Sequence, residues 1–132
     1  MPPIRPLRWA VLIIDLDPTV GHEQAGERRA LVVSYEPYHQ SGNITICPIT
    51  AARDAPRYPT EVPIPVGEAG QTMPAVILCQ QVRTVSARRA RSLKGYVTGP
   101  SIRTAVREAL AHHLGLDALP LEDGADGHAL YR

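Results

Sequence analysis

Apolar residues in this chain gather in short dense runs, and only near the C-terminal end do they recur at helical spacing. VLIIDLD and ALVVS pack Val, Ile and Leu into lengths that suit strands, predicting strands over 10–17 and 29–35. Pro18 closes the first run, since it has no N–H to give to a ladder. The stretch between the two runs, GHEQAGERR, carries Gly21 and Gly26 and is longer than a tight reversal needs. NITICPIT predicts a third strand over 43–50, with Pro48 expected at an edge or a bulge. TEVPIP alternates as an edge strand over 60–65 should. PAVILCQQVRT, the most apolar run, predicts a central strand over 74–84, and a short strand is expected over 95–98. Turn signals separate these runs at Pro37, Ser41-Gly42, AARDAPRYP and 67–72. The one helical signal is Ile102, Ala105, Val106, Ala109, Leu110 and Leu114, an apolar face introduced by Pro100 and ended by Gly115.

About five to seven short strands closed by one helix predict a mainly β fold, a small and strongly bent β-barrel. No internal repeat is visible. The length of 132 residues fits one domain, read as an arm over 1–8, a barrel domain over 9–116 and an acidic tail over 117–132. Thirteen Pro and ten Gly agree with strands broken by turns, and with no Phe the core must be built from Val, Ile, Leu and Ala. The formal charge of +1 excludes a broad attraction to nucleic acid and leaves room for a local basic patch. Cys47 and Cys79 lie in apolar runs, without a further ligand at a metal-binding spacing, and are expected as reduced core residues. His112 and His113 are neighbours on the predicted helix, so they point apart and hold no metal together. The N-terminal MPPIRPLRW has no signal-peptide core, and no run approaches the roughly eighteen apolar residues of a membrane span. A cytoplasmic protein is expected.

The line DLDPTVGHEQAGERRALVVS, followed by CPIT, YPTEVPIP and QVRT, resembles the MazF/PemK family of toxin endoribonucleases from bacterial type II toxin–antitoxin pairs. The resemblance covers about 8–116. It implies an SH3-like barrel with a C-terminal helix, a homodimer, and cleavage of single-stranded RNA with no metal or other cofactor. It also implies a cognate antitoxin whose extended C-terminal segment lies across the RNA groove. Carried over by position, the family's catalytic Arg falls on Arg28 and its catalytic Thr on Thr50, while the loop acid and amide fall on Glu23 and Gln24. The chain departs from the family at three places. Arg29 stands where Pro is usual, Trp9-Ala10 where a Gly-acid pair opens the first strand, and Gln80 where Asp is frequent.

The chemistry that the resemblance implies suits these residue types. RNA brings its own nucleophile, the 2′-hydroxyl, and its attack on the neighbouring phosphorus develops negative charge that a fixed cation must meet. Arg28 is always charged and can hold phosphate oxygens bidentately, and the Thr50 hydroxyl can donate to a phosphate oxygen. The general base stays open between Glu23 and His22. RNA contacts are expected from Gln24, Arg29, Gln81 of the QV pair, Arg53 and Arg57 beside Thr50, and Arg83 and Arg88 in the basic run that ends at Lys94. Tyr58 is a stacking candidate. Two other readings stay open: a non-enzymatic gyrase-binding toxin of the same architecture, and an inactive relative that only binds RNA or antitoxin.

Overall fold

The structure, a computed structural model, describes residues 6–16, 26–52 and 58–118. Its elements are β1 (Ala10–Asp15), β2 (Glu27–Val32), β3 (Asn43–Ala51), β4 (Glu61–Ile64), β5 (Ala75–Leu78), β6 (Arg83–Ser86), β7 (Ala90–Tyr96) and α1 (Pro100–His113), with short 3-10 turns between several of them. The strands form an antiparallel sheet in the order β4-β5-β3-β2-β1-β7, with β6 paired to β3 off that path. The end strands β4 and β7 are not paired with each other, so this bent, barrel-like sheet remains open. The mainly β architecture with a C-terminal helix agrees with the sequence expectation.

The dense apolar runs are explained by burial on both faces. In β1, β2 and β3 one set of alternating residues, Val11, Leu31, Val33, Cys47 and Ile49, joins a core under α1 with Val62, Ile64, Ile77, Val97, Val106 and Ala109. The other set, Leu12, Ile14, Ala30, Val32, Ile44 and Ile46, builds a second core with Leu16 and Val85 on the opposite face. A strand buried on one face alternates, whereas one buried on both reads as a continuous run.

Three sequence expectations need correction. Pro48 lies not at an edge but in the middle of the sheet, opposite Ala30 on β2. Val33 N–H donates to the Thr45 carbonyl (2.9 Å), so ladder alternation turns the backbone nitrogen of residue 48 away from β2 and toward β5. There Pro48 has no proton to give, and the β3–β5 ladder ends one residue earlier, at Ile49↔Ile77. Beyond Leu78 the chain leaves the sheet as a 3-10 turn, Cys79–Gln81, and returns as β6 against 43–46. The single strand expected over 74–84 is therefore two strands with a turn between them. The third correction is β7, which spans Ala90–Tyr96 where only 95–98 was expected. Two register shifts against β1 set Ala90, Leu93 and Tyr96 opposite Ile14, Leu12 and Ala10, replacing the period of two with a step of three.

The ends of the fold are fastened by carboxylates. Glu36 Oε1 accepts the N–H groups of Leu7 (2.9 Å) and Arg8 (2.8 Å), and the Tyr96 hydroxyl donates to the Pro6 carbonyl (2.7 Å), so the end of the arm is tied to the body. Burial raises the Glu36 pKa, but the N–H groups of Arg8 and Leu7, with His39, outweigh it and hold the carboxyl below its ordinary value. Trp9 follows with φ 70°, where Gly is the usual occupant; the guanidinium groups of Arg8 and Arg103 stand over its ring, 5.5 and 5.2 Å from the centroid. Gly99 gives α1 no capping side chain. Glu68 does so from outside, accepting Thr98 N–H (2.6 Å) and Gly99 N–H (3.3 Å). Pro100 starts the helix, and Gly115, at φ 70°, ends it with Leu116 N–H returning to the Ala111 carbonyl (2.8 Å).

Candidate functional site

The pairing registers lay one row of residues across the sheet. Ala90 of β7 pairs with Ile14 of β1, and Ile14 with Arg28 of β2. On the other side Thr50 of β3 pairs with Val76 of β5, and Val76 with Pro63 of β4. The β2–β3 pairing ends at Ala30↔Pro48, and two residues further along each strand stand Arg28 and Thr50. Cross-strand partners share a face, so Arg28 and Thr50 project to the same side. Arg28 is exposed and Thr50 half-buried, at the frayed end of a ladder whose other residues are core.

Arg29 takes the opposite face, as the period of a strand requires. Its Nη1 donates to the Gly70 carbonyl (3.3 Å) and to Gln71 Oε1 (3.1 Å), and Gln71 is only 7% exposed. Gly70 is itself confined, because a Cβ there would strike the Lys94 carbonyl. Arg29 is thus held on the face opposite Thr50, while Arg28 is exposed near the start of β2 on the face of Thr50.

The remaining candidates are distributed around this row. Tyr58, 57% exposed, precedes β4. Gln81 is half-buried in the turn between β5 and β6. Arg83 pairs with Ile46, on the sheet face that carries Arg28 and Thr50 but several residues along β3. Arg88 is exposed in the turn before β7, its N–H donated to Ser86 Oγ (3.2 Å). In the same basic run, Arg89 donates to the Asp15 carbonyl (3.3 Å), and Arg91 lies 3.6 Å from the Asp15 carboxylate and 3.9 Å from that of Glu27. This basic run thus meets acids from β1 and β2. Glu23, Gln24, His22, Arg53 and Arg57 lie outside the described residues.

Sequence reading passes over Glu61. It pairs with Leu78, two residues along β4 from Pro63, and so lies on the face of Thr50. Gln80 fastens it, donating through Nε2 to Glu61 Oε2 (3.2 Å) while its Oε1 accepts the Thr60 hydroxyl (3.1 Å). An Asp at position 80 would place a second carboxylate against Glu61, whereas Gln supplies a donor. The signal was available: in TEVPIP, Val62 and Ile64 face the core, which turns Glu61 and Pro63 outward.

A permanent cation and a hydroxyl on the same face of neighbouring strands suit the binding of a phosphate. Among the described residues no group of three His, Cys, Asp or Glu side chains could hold a metal ion, and no helix is long and apolar enough to cross a membrane.

Comparison with known proteins gives a consistent result. The family described as PemK-like, MazF-like toxin of type II toxin-antitoxin system matches residues 7–114. The endoribonuclease toxin MazF of Escherichia coli (strain K12) is 35% identical over 85 residues, 64% of this chain and 72% of that protein. MazF from Deinococcus radiodurans superposes with a TM-score of 0.70 at 29% identity, over 83% of this chain and 96% of that one. The MazE–MazF structure from the same organism gives a TM-score of 0.64 at 25% identity, over 83% and 95%.

Proposed function

Because the chain belongs to the PemK-like, MazF-like toxins of type II toxin–antitoxin systems, we propose that it is an endoribonuclease that cuts single-stranded RNA at the Arg28–Thr50 end of the sheet. The observation that carries this reading is the shared face of Arg28 and Thr50, with Arg29 engaged on the other side. The substrate's 2′-hydroxyl attacks the adjacent phosphorus, the new P–O bond forms, and the bond to the 5′-oxygen breaks. The products are a 2′,3′-cyclic phosphate and a 5′-hydroxyl. Arg28 meets the charge that develops on the non-bridging oxygens, and the Thr50 hydroxyl donates to a phosphate oxygen. Arg28 fills the electrostatic role that a metal fills in other nucleases, so the reaction proceeds without one. The loop acid Glu23 or its neighbour His22 takes the 2′-proton. Tyr58, Gln81, Gln24, Arg53, Arg57, Arg83 and Arg88 guide the strand, and an acidic C-terminal antitoxin segment occupies the same groove in a homodimer.

The deciding experiment maps the ends left on a defined RNA in excess EDTA, beside the same RNA with 2′-deoxyribose at the cut position. Cyclic phosphate and 5′-hydroxyl ends from the first, and an inert second, are expected. Cutting of the deoxy-substituted strand would refute the mechanism.

A further inference from the structure

At the end of the β1–β2 pair the sheet carries two acids face to face. Asp15 and Glu27 are register partners there. Leu16 N–H donates to the Gly26 carbonyl (3.0 Å), so the Asp15–Glu27 level is non-hydrogen-bonded, the kind at which facing side chains come closest. Two carboxylates directly opposite each other repel and favour opening of the strand pair. Arg91 of β7 answers both: its Nη2 lies 3.6 Å from Asp15 Oδ2 and its Nε 3.9 Å from Glu27 Oε2. These separations are longer than hydrogen bonds, so the attraction is one of charge. Arg89 adds a hydrogen bond from its Nη1 to the Asp15 carbonyl (3.3 Å).

This level borders Arg28. β2 pairs with β3 only over Ala30–Val32, whereas its pairing with β1 runs over Glu27–Leu31. Among the described strands, the backbone of residues 27–29 is therefore paired with β1 alone. Arg28, opposite Ile14, is one residue from the two acids. Opening of the Asp15–Glu27 level would release the backbone of Arg28 on one side. Glu27 flanks Arg28 along the strand and so projects to the other face. Arg91 meets the two acids there, across the sheet from the face of Arg28 and Thr50.

We infer that Arg91 is a positioning residue for RNA cleavage, an inference that rests on the functional reading above. By neutralising the Asp15–Glu27 pair it keeps the start of β2 on β1, and so holds Arg28 where the phosphate is cut. It acts through Arg28 and not on the RNA. The pairs are exposed and each is modest, so the effect is one of degree: without Arg91, two weak attractions are replaced by one repulsion. Glu27 is the acid to remove in a test, because Gln there keeps the strand and ends the repulsion.

The test compares Arg91→Ala, Arg91→Lys, Glu27→Gln and the double variant Arg91→Ala/Glu27→Gln with the parent. Cleavage of a fluorogenic RNA gives kcat and KM, and exchange of the Leu16 amide hydrogen reports opening of the strand end whether or not RNA is cut. Arg91→Ala should lower kcat by about three- to tenfold with KM little changed, and should speed Leu16 exchange by a similar factor. Arg91→Lys keeps the charge and should keep most of the rate. Glu27→Gln alone should stay near the parent, and in the double variant it should restore both kcat and slow exchange. Equal losses in Arg91→Ala and the double variant, a loss carried by KM, or unchanged kcat or Leu16 exchange in Arg91→Ala would each overturn the proposal while the parent's cleavage stands. A parent that cuts no RNA would overturn the functional reading, and the role of Arg91 with it.

Discussion

Replacing Arg28 and Arg29 by Ala, one at a time, should separate catalysis from stability at adjacent positions. Arg29 donates to the Gly70 carbonyl and to Gln71 Oε1, and Gln71 is almost fully buried. Truncation leaves that buried oxygen without its charged donor, a loss of about 1.5–3 kcal/mol for a hydrogen bond to a charged group. In a domain of this size that lowers the melting temperature by on the order of 10 °C. Arg28 is exposed at a strand end, and changes at exposed positions usually stay within about 0.5 kcal/mol. Its cost should appear in the rate, because removing one preorganised donor from a developing negative charge typically slows a reaction by about 10²–10³-fold.

The assay is a fluorogenic RNA cleaved at saturating and at low substrate concentration, beside a thermal melt of each variant. Arg28→Ala should melt within a few degrees of the parent and cleave very slowly. Arg29→Ala should melt early and, well below its own midpoint, cleave at a rate close to the parent's. The reverse result, a stable but inactive Arg29→Ala beside an active Arg28→Ala, would refute the assignment of faces.

Thr50→Val keeps the shape of the side chain and removes the hydroxyl, so it should lose cleavage while Thr50→Ser keeps most of it; equal losses would make packing the reason that Thr50 matters. Stability should fall in acid. Glu68, held below the ordinary 4.5 first by Thr98 N–H, and Glu36, held below it against burial by the N–H groups of Arg8 and Leu7, contribute stability that is full above 4.5 and is lost as pH falls through their lower folded values. Melting temperatures should be flat from neutral pH down to about 5 and then drop, with a shallower drop in Glu68→Gln; a drop centred near neutrality would contradict this. Light scattering should give twice the monomer mass, and RNA and an acidic antitoxin peptide should exclude each other, a ternary complex being the result against it.

The elements were legible in the sequence wherever one physical rule governed them. Density of Val, Ile and Leu marked β1, β2 and β3, and the spacing from Ile102 to Leu110 marked α1 together with its Pro100 and Gly115 signals. β7 was mostly hidden, because bulges at its register shifts break the period of two that a reader looks for. The break between β5 and β6 was hidden for a different reason. Its cause, Pro48, lies some thirty residues away in another strand and acts through an N–H that it lacks. The site was legible as residue types and not as an arrangement. Nothing local to AGERRALV says which arginine faces CPIT; that follows from the register of β2 on β3. The fastening of Glu61 by Gln80 was equally invisible, since it needs the turn after β5 to come back over the start of β4.

Pro48 connects these points. A sheet whose central strands are buried on both faces has little room for a polar side chain, so a site can form only where a ladder ends. β3 pairs with β5 only over Ile49–Ala51, with Thr50 opposite Val76, and its pairing with β2 stops at Pro48. Without an N–H at 48, β5 cannot run on along β3, and the chain turns out through Cys79–Gln81, carrying Gln80 to Glu61. With a donor there, β5 could continue as a straight strand, and Gln80 and Gln81 would alternate in and out as ordinary strand residues. One missing proton in the middle of the sheet therefore shapes the border of the Thr50 face, which is why a proline is tolerated where ladder hydrogen bonding alone would forbid it.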